Sequence, residues 1–421
     1  PILDNGKAAT LVFQGKAVQA VGAARLKVTA EGGGHTSFEQ LDVPLLPAGP
    51  RERKVQRLEL AAGTLDLAPY LQGWLPTSER STFWVTANPY GESFQHLSYL
   101  VRYPYGCIEQ TTSSTRPLLY VSEFVDSVDP TLTANAKVED MVAAGIRRVF
   151  SMQTPSGGFG YWPGASEPVE WGSAYATHML LDAQKRQYAV PQDRLDDSLR
   201  WMGERVKYRE SHAGDAESAY HDGEAYMHYV LALAGKGQKA RIQKLLEQSP
   251  GRRSFSAGER AEQEYMLQAA LYLAGDRRYE KELRSPDLSP VTDERWNSWS
   301  FYSDRRRRGF MLSTFQDLFG NDAAGEALAQ RVAEALRQER SEYYTTQELV
   351  WGITGLGKRV SGSAASFSPA VLTADGKEQK PQSTGKQRVN DRTWALVRAS
   401  ERKGVSLQVP AKGEGKLYLC A

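Results

Sequence analysis

The stretch that decides the architecture is VEDMVAAGIRRVF (residues 138–150), followed directly by SMQTPSGGFGYWP (residues 151–163). In the first part Val138, Met141, Val142, Gly145, Ile146, Val149 and Phe150 recur at i, i+3, i+4 and i+7, the spacing of one face of an amphipathic helix. In the second part the glycines let the chain reverse, and Phe159 and Trp162 are expected to pack beneath the turn. Similar stripes follow at Ala176, Met179, Leu180 and Ala183, and again at Leu199, Met202 and Val206. Others lie around Tyr226 to Leu233, Tyr265 to Leu273, Ala324 to Leu336 and Leu349 to Ile353. Breaks rich in Gly, Pro or Asp separate them. About ten to twelve helices of ordinary length are therefore expected across residues 93 to 360.

Outside that region the period changes. Arg25, Lys27 and Thr29 alternate with Leu26, Val28 and Ala30, as in a strand with one wet face. Ala9 to Phe13 and TFWVT (residues 82–86) are rich in β-branched and aromatic residues. After residue 360, Val405, Leu407 and Val409 alternate with polar residues, and Leu417-Tyr418-Leu419 reads as a last strand. About sixty residues are few for an independent core. The economical architecture is multidomain α and β: residues 1–90 and 361–421 form two parts of one discontinuous β-sandwich, and the helical residues 91–360 are inserted between them. The 421 residues would by length alone suggest about three domains.

Composition narrows the function. Lys+Arg number 52 against 50 Asp+Glu, a net charge of +2, which argues against a nucleic-acid partner. No apolar stretch approaches the ~18 residues of a membrane span. Two cysteines exclude a disulfide scaffold and a Cys-rich zinc module. The first residues, Pro1-Ile2-Leu3-Asp4, hold no initiator Met, basic region or apolar run. Taken alone they read as cytoplasmic, or equally as a processed or excised chain.

The chemistry sits at YPYGCIEQTT (residues 103–112). Residues i and i+3 share a helix face, so at a helix start the Cys107 sulfur can reach the Gln110 carboxamide. Attack would expel ammonia and leave an internal thioester, an activated acyl group stored on the protein. Pro104 and Gly106 shape the sharp approach to the helix, and the helix N-terminus is expected to favour the thiolate. Such a bond needs an apolar shield against water, for which Tyr103 and Tyr105 are placed. Spacing alone leaves Cys107 open to the commoner reading of a buried structural cysteine.

The run P-Y-G-C-x-E-Q, followed by Thr and Ser, resembles the thioester motif of the alpha-2-macroglobulin and complement superfamily. Ile108 is similar to the aliphatic residue of the bacterial alpha-2-macroglobulins. Ser93-Phe94-Gln95-His96-Leu97 resembles the short helix that leads into the motif. The Gln153 to Trp162 corner resembles that of α/α-toroids, and Asn297 to Phe301 resembles a degenerate second copy. The resemblance implies an α/α-toroid thioester domain inserted into a discontinuous CUB-like β-sandwich. It also implies a protease inhibitor rather than an enzyme. A surface lysine of an attacking protease would be acylated by the Gln110 carbonyl, freeing the Cys107 thiol. Tyr103 matches the shielding tyrosine of bacterial members. Glu109 and Gly106 belong to the motif, Glu109 with no derivable role. Some complement relatives carry an acyl-transfer histidine downstream of the cysteine, and His221 is the candidate here. The implied setting is the periplasm, with an inner-membrane lipid tether outside these residues and the remainder of a longer macroglobulin chain as partner.

Other patterns are weaker. His212, His221 and His228 lack the tight spacing of a metal site, and no metal or cofactor is expected. Arg305-Arg306-Arg307-Arg308 reads as a solvated face or an anion-binding patch. Cys420 reads as a separate buried or terminal thiol. An α/α-toroid lyase, cyclase or glycoside hydrolase would need convergent carboxylates, for which Glu167 and Glu170 are the nearest candidates. A non-covalent interaction module with an inactive motif is the third reading.

Overall fold

The computed structural model describes residues 6–19, 21–47, 49, 52, 54–102, 106–129, 131–211, 223–248, 256–289, 301–337, 344–360, 368–384, 391–411 and 416–421. Strands β1 (Gly22–Gly32) and β2 (His35–Leu45) form an antiparallel hairpin. Gly33 and Gly34 both have positive φ, as a two-residue hairpin turn demands. Leu26 stands opposite Leu41, and Leu26, Val28 and Leu41 remain about half exposed. The alternation thus identifies the strand, but its apolar face is not covered as the pattern led us to expect. Ala9 to Phe13 form no strand.

The remaining strands make two antiparallel sheets. Strands β3 (Arg57–Leu60), β5 (Arg80–Thr86), β8 (Ser383–Thr384), β9 (Arg392–Val397) and β11 (Leu417–Cys420) form one, in the order β3-β11-β5-β9-β8. Strands β4 (Gly63–Asp66), β6 (Val371–Ala374), β7 (Lys377–Glu378) and β10 (Ser406–Val409) form the other, in the order β4-β10-β6-β7. Each sheet interleaves strands from both ends of the chain. Phe83, Val85, Trp394 and Leu419 of the first share one apolar core with Leu372 and Leu407 of the second. The uninterrupted TFWVT run follows from two-sided burial. Phe83 and Val85 enter that core, while Trp84 turns to the opposite face, with Cys420, and packs into the helical body.

The helical body begins with α1 (Leu97–Val101), α2 (Ile108–Thr115), α3 (Leu118–Val121) and α4 (Val125–Val128). Longer helices follow: α5 (Val138–Phe150), α6 (Glu170–Lys185), α7 (Gln192–Ser211), α8 (Glu224–Leu233), α9 (Lys239–Gln248) and α10 (Ala257–Leu273). The last are α11 (Glu280–Arg284), α12 (Asp304–Phe319), α13 (Glu326–Ala335) and α14 (Thr346–Val360). Helices α2, α6, α8, α10, α12 and α14 each pack against the next, and α14 returns to α2, closing a ring. Helices α5, α7, α9 and α13 lie outside it. Ring helices are buried nearly all round, whereas α5 buries one stripe, Val138, Val142, Ile146, Val149 and Phe150. At the closest crossing, a Cβ on Gly309 of α12 would lie 2.6 Å from the Gly352 nitrogen of α14, so only glycine lets these backbones meet. Among the described residues no helix is long and apolar enough to cross a membrane.

The ring is filled by a polar cluster as well as by aromatics. Arg116, fully buried, donates from Nη2 to Asp182 Oδ2 at 2.6 Å and to His178 Nε2 at 2.7 Å. Because His178 Nε2 accepts, its Nδ1 carries the proton and donates to the Tyr226 hydroxyl at 3.0 Å. Burial, aided by the Arg116 charge, pushes His178 well below the ordinary histidine range, so the ring is neutral. Arg116 also lies 4.2 Å from the Trp351 ring centre.

Buried His228 on α8 behaves similarly. Burial, with Arg241 adding to it, lowers its pKa from 6.5 to about 4. The unfolded chain therefore takes up the proton first, and the stability is lost as pH falls from about 6.5 towards about 4. Linkage makes this about 2 kcal/mol between pH 7 and pH 5. Urea midpoints at the two pH values should show the loss, and His228→Leu should flatten that part of the profile. An unchanged slope in the variant would remove His228 from the account.

Candidate functional site

Cys107 is the N-cap of α2, with φ −70° and ψ 173°. Its sulfur accepts from the Gln110 backbone N–H, and the Gln110 side chain accepts from the Cys107 backbone N–H, N to Oε1 3.4 Å. This reciprocal cap satisfies two of the helix's orphan donors. It brings the thiol and the carboxamide together at one helix end. Cys107 is 6% exposed and Ile108 is fully buried. Burial pushes the Cys107 thiol up, against the opposing effect of its contact with Gln110. The expectation that the helix end would favour the thiolate is therefore corrected: desolvation of the charged sulfur outweighs the helix-end donors.

Three further contacts hold this end. Arg148 of α5 donates from Nη2 to the Gly106 carbonyl at 3.2 Å. The Ile108 N–H donates to the Tyr161 carbonyl at 3.0 Å. Ile108 packs against Gly172 of α6, where a Cβ would approach its Cγ2 to 3.1 Å. The corner after α5 thus touches the α2 N-terminus. Within it, Gln153 Nε2 donates to the carbonyls of Gly157 and Arg194 at 2.9 and 2.8 Å, and Phe159 is fully buried. Trp162, in contrast, is 51% exposed. It does not pack under the turn, because the half-buried Tyr161 takes the inward position. The charges of Cys107 and Glu109 add to burial in raising the Tyr161 hydroxyl to about 12, which marks its closeness to both. Nothing separated Tyr161 in the sequence from the other aromatics of the corner.

Glu109 has a definite structural place. Its Oε1 accepts from Ser113 Oγ at 2.7 Å, Thr346 Oγ1 at 2.7 Å and Gln347 Nε2 at 2.6 Å. The motif glutamate therefore joins α2 to α14. Tyr103, Tyr105 and His221 lie outside the described residues, as do Pro104, His212 and most of Asn297 to Phe301.

Several sequence candidates resolve differently. Arg306 and Arg307 are buried, at 3% and 2% exposure, so the arginine run is neither a solvated face nor an open anion patch. Arg306 pairs with Glu262, and Arg307 and Arg308 pair with Asp304 at 2.8 and 2.5 Å. Asp304 sits in the first turn of α12, where negative charge complements the helix dipole. Glu170 of α6 is paired with Arg205 and Arg209, which occupies it as an ion-pair partner and counts against it as an acid catalyst. Cys420 is buried in β11, where burial raises its thiol to about 12. Among the described residues, His178, Asp182 and Asp317 are close enough together to ligate a cation. Arg116 already binds the first two, and Lys358 donates to Asp317 Oδ2 at 2.6 Å. Protein cations thus occupy that cluster.

A family model described as the A-macroglobulin TED domain matches residues 84–244. The alpha-2-macroglobulin of Escherichia coli (strain K12) is 26% identical over 182 residues, 42% of this chain and 11% of that protein. That of Pasteurella multocida (strain Pm70) is 20% identical over 356 residues, 79% of this chain and 18% of the relative. The crystal structure of Salmonella alpha-2-macroglobulin reacted with methylamine matches with a TM-score of 0.61 at 24% identity. That match covers 96% of this chain and 26% of the Salmonella chain. Native E. coli alpha-2-macroglobulin matches with a TM-score of 0.60 at 19% identity. At these identities the solved structures speak to the mixed helix-and-sheet fold.

Residues 84–244 thus match a TED domain, within a mixed helix-and-sheet fold shared with the Salmonella structure. The chain is similar to bacterial alpha-2-macroglobulins and spans a small part of their length.

Proposed function

We propose that Cys107 and Gln110 close an internal thioester through which this protein covalently captures attacking proteases. The observation that carries the reading is the reciprocal cap at the start of α2, which holds thiol and carboxamide together. In closure the Cys107 sulfur bonds to the Gln110 side-chain carbonyl carbon, the C–N bond breaks, and the thiol proton leaves with ammonia. In capture a surface lysine of the protease attacks that carbonyl, an amide forms, and Cys107 returns as a thiol. The chain thus acts once, as an endopeptidase inhibitor rather than as a turning-over enzyme. Two relatives lend support: the Salmonella protein was solved after reaction with methylamine, and the E. coli protein after activation by porcine elastase.

We read the ring of helices within 91–360 as an α/α-toroid. The interleaved strands of 1–90 and 361–421 we read as two parts of a CUB-like sandwich. The remainder of a longer macroglobulin chain is the intramolecular partner. The periplasm is the compartment, with an inner-membrane lipid tether elsewhere in the protein. Tyr103 and Tyr105 are the proposed shield, and His221 the candidate for acyl transfer.

Intact mass tests the chemistry: native protein should lack one ammonia relative to its sequence, and methylamine should release a titratable thiol. Full sequence mass with an unreactive Gln110 would favour the non-covalent module. Tyr161, beside the same helix end, should help exclude water. Tyr161→Ala is expected to lose the thioester several times faster in buffer, measured as thiol release over time. An unchanged lifetime would remove Tyr161 from the shield.

A further inference from the structure

A second set of contacts reaches α2 from the side opposite the reactive pair. At about 100° per residue, Cys107 and Gln110 lie roughly 60° apart around the helix, with Glu109 across from them. Helix α2 spans only Ile108–Thr115, too short to be stable by itself, so its rotation must be set from outside. Glu109 is where that happens. Its carboxylate is 4% exposed and is held by neutral donors, two of them at the N-terminus of α14.

Gln347 is built for this task. It is 1% exposed. Its Oε1 accepts from Trp351 Nε1 at 3.2 Å and from Arg306 Nε at 3.3 Å. Arg306 is itself anchored by Glu262. With its carbonyl thus occupied, the amide must present Nε2 to Glu109 at 2.6 Å and to Ser113 Oγ at 3.2 Å. A primary amide offers acceptor and donors on opposite sides; a carboxylate at this position would repel Glu109, and an apolar side chain would leave it short of a donor.

We propose that Gln347 is a positioning residue for the thioester: through Glu109 it sets the rotation of α2 at which the Cys107 sulfur meets the Gln110 carboxamide. The proposal rests on the thioester reading above. It places a determinant of closure on the helix that completes the ring, more than two hundred residues from the motif.

The test compares wild type, Gln347→Leu, Thr346→Val and the exchange Glu109→Gln with Gln347→Glu, which restores a donor–acceptor pair between the two positions. Leu245→Ala, in the outer helix α9, serves as a destabilised control. The closed fraction is read from intact mass, and the lifetime from thiol release. A hydrogen bond to a buried charge is strong enough that Gln347→Leu should lose the bond on the order of tenfold faster. Thr346→Val, which removes another of the Glu109 donors, should move in the same direction, keeping the test readable if Gln347→Leu does not fold. The exchange should recover much of the loss, and Leu245→Ala should keep a wild-type lifetime. Wild-type closed fraction and lifetime in both Gln347→Leu and Thr346→Val would overturn this proposal alone. So would equal loss in Leu245→Ala. A wild type that never closes would overturn the thioester reading and this proposal with it.

Discussion

Cys107→Ala is expected to abolish the ammonia deficit and all methylamine-released thiol at once, while leaving the helical ring folded. The effect is all-or-none because no other described sulfur can substitute. Cys420 lies buried in the far strand β11 with its thiol raised to about 12. Loss of the Cys107 sulfur removes one half of a reciprocal cap, and cap removal costs about 0.5–2 kcal/mol. The variant should therefore melt only a few degrees lower, with its circular dichroism intact. Gln110→Glu keeps a side-chain acceptor for the Cys107 N–H but offers a carboxylate, which a thiol does not displace, and should be equally inert. A Cys107→Ala protein that still reacts with methylamine would place the acyl group elsewhere.

The second large effect is expected at the centre of the ring. Arg116→Ala leaves Asp182, 1% exposed, without its 2.6 Å partner. Breaking a buried ion pair from one side costs about 3–5 kcal/mol, a large share of the 5–15 kcal/mol that typically holds a domain together. Burial disfavours the Asp182 carboxylate, but Lys358 and Arg116 outweigh it and hold its pKa below the ordinary range. A lowered carboxylate pKa stabilises above the unfolded value of 3.8 and loses that contribution only in acid. The loss caused by Arg116→Ala should thus be present in full at neutral pH. Arg116→Met combined with Asp182→Leu should cost far less, since an apolar pair leaves no unmatched charge. Urea unfolding followed by tryptophan fluorescence checks both, and a cost below about 1 kcal/mol for Arg116→Ala would contradict the assigned role.

What could be read in advance was local. The α5 stripe, the β5 run and the Cys107–Gln110 spacing each depend on residues within a few positions, and local periodicity is what a sequence displays. What could not be read depends on distant partners. Four consecutive arginines look solvated until Glu262 and Asp304 draw two of them inward. Gln347 is one polar residue in an otherwise periodic helix, and only the closed ring brings it to Glu109. Leu26 shows the converse: its strand was legible in the alternation, but its pairing with Leu41 was not, and alternation does not say what covers the apolar face. Trp162 failed as a core residue because Tyr161 beside it took the inward place, a choice between neighbours that composition does not decide.

The central claim is most directly tested by the mass of the untreated native protein, before and after methylamine. The account predicts a mass lower than the sequence by one ammonia, then a gain of one methylamine on Gln110 with one new thiol at Cys107. A mass one water above that of the thioester form, with Gln110 converted to Glu, would mean that the bond had closed and been hydrolysed. Full sequence mass with Gln110 intact and no reaction with methylamine would contradict the account.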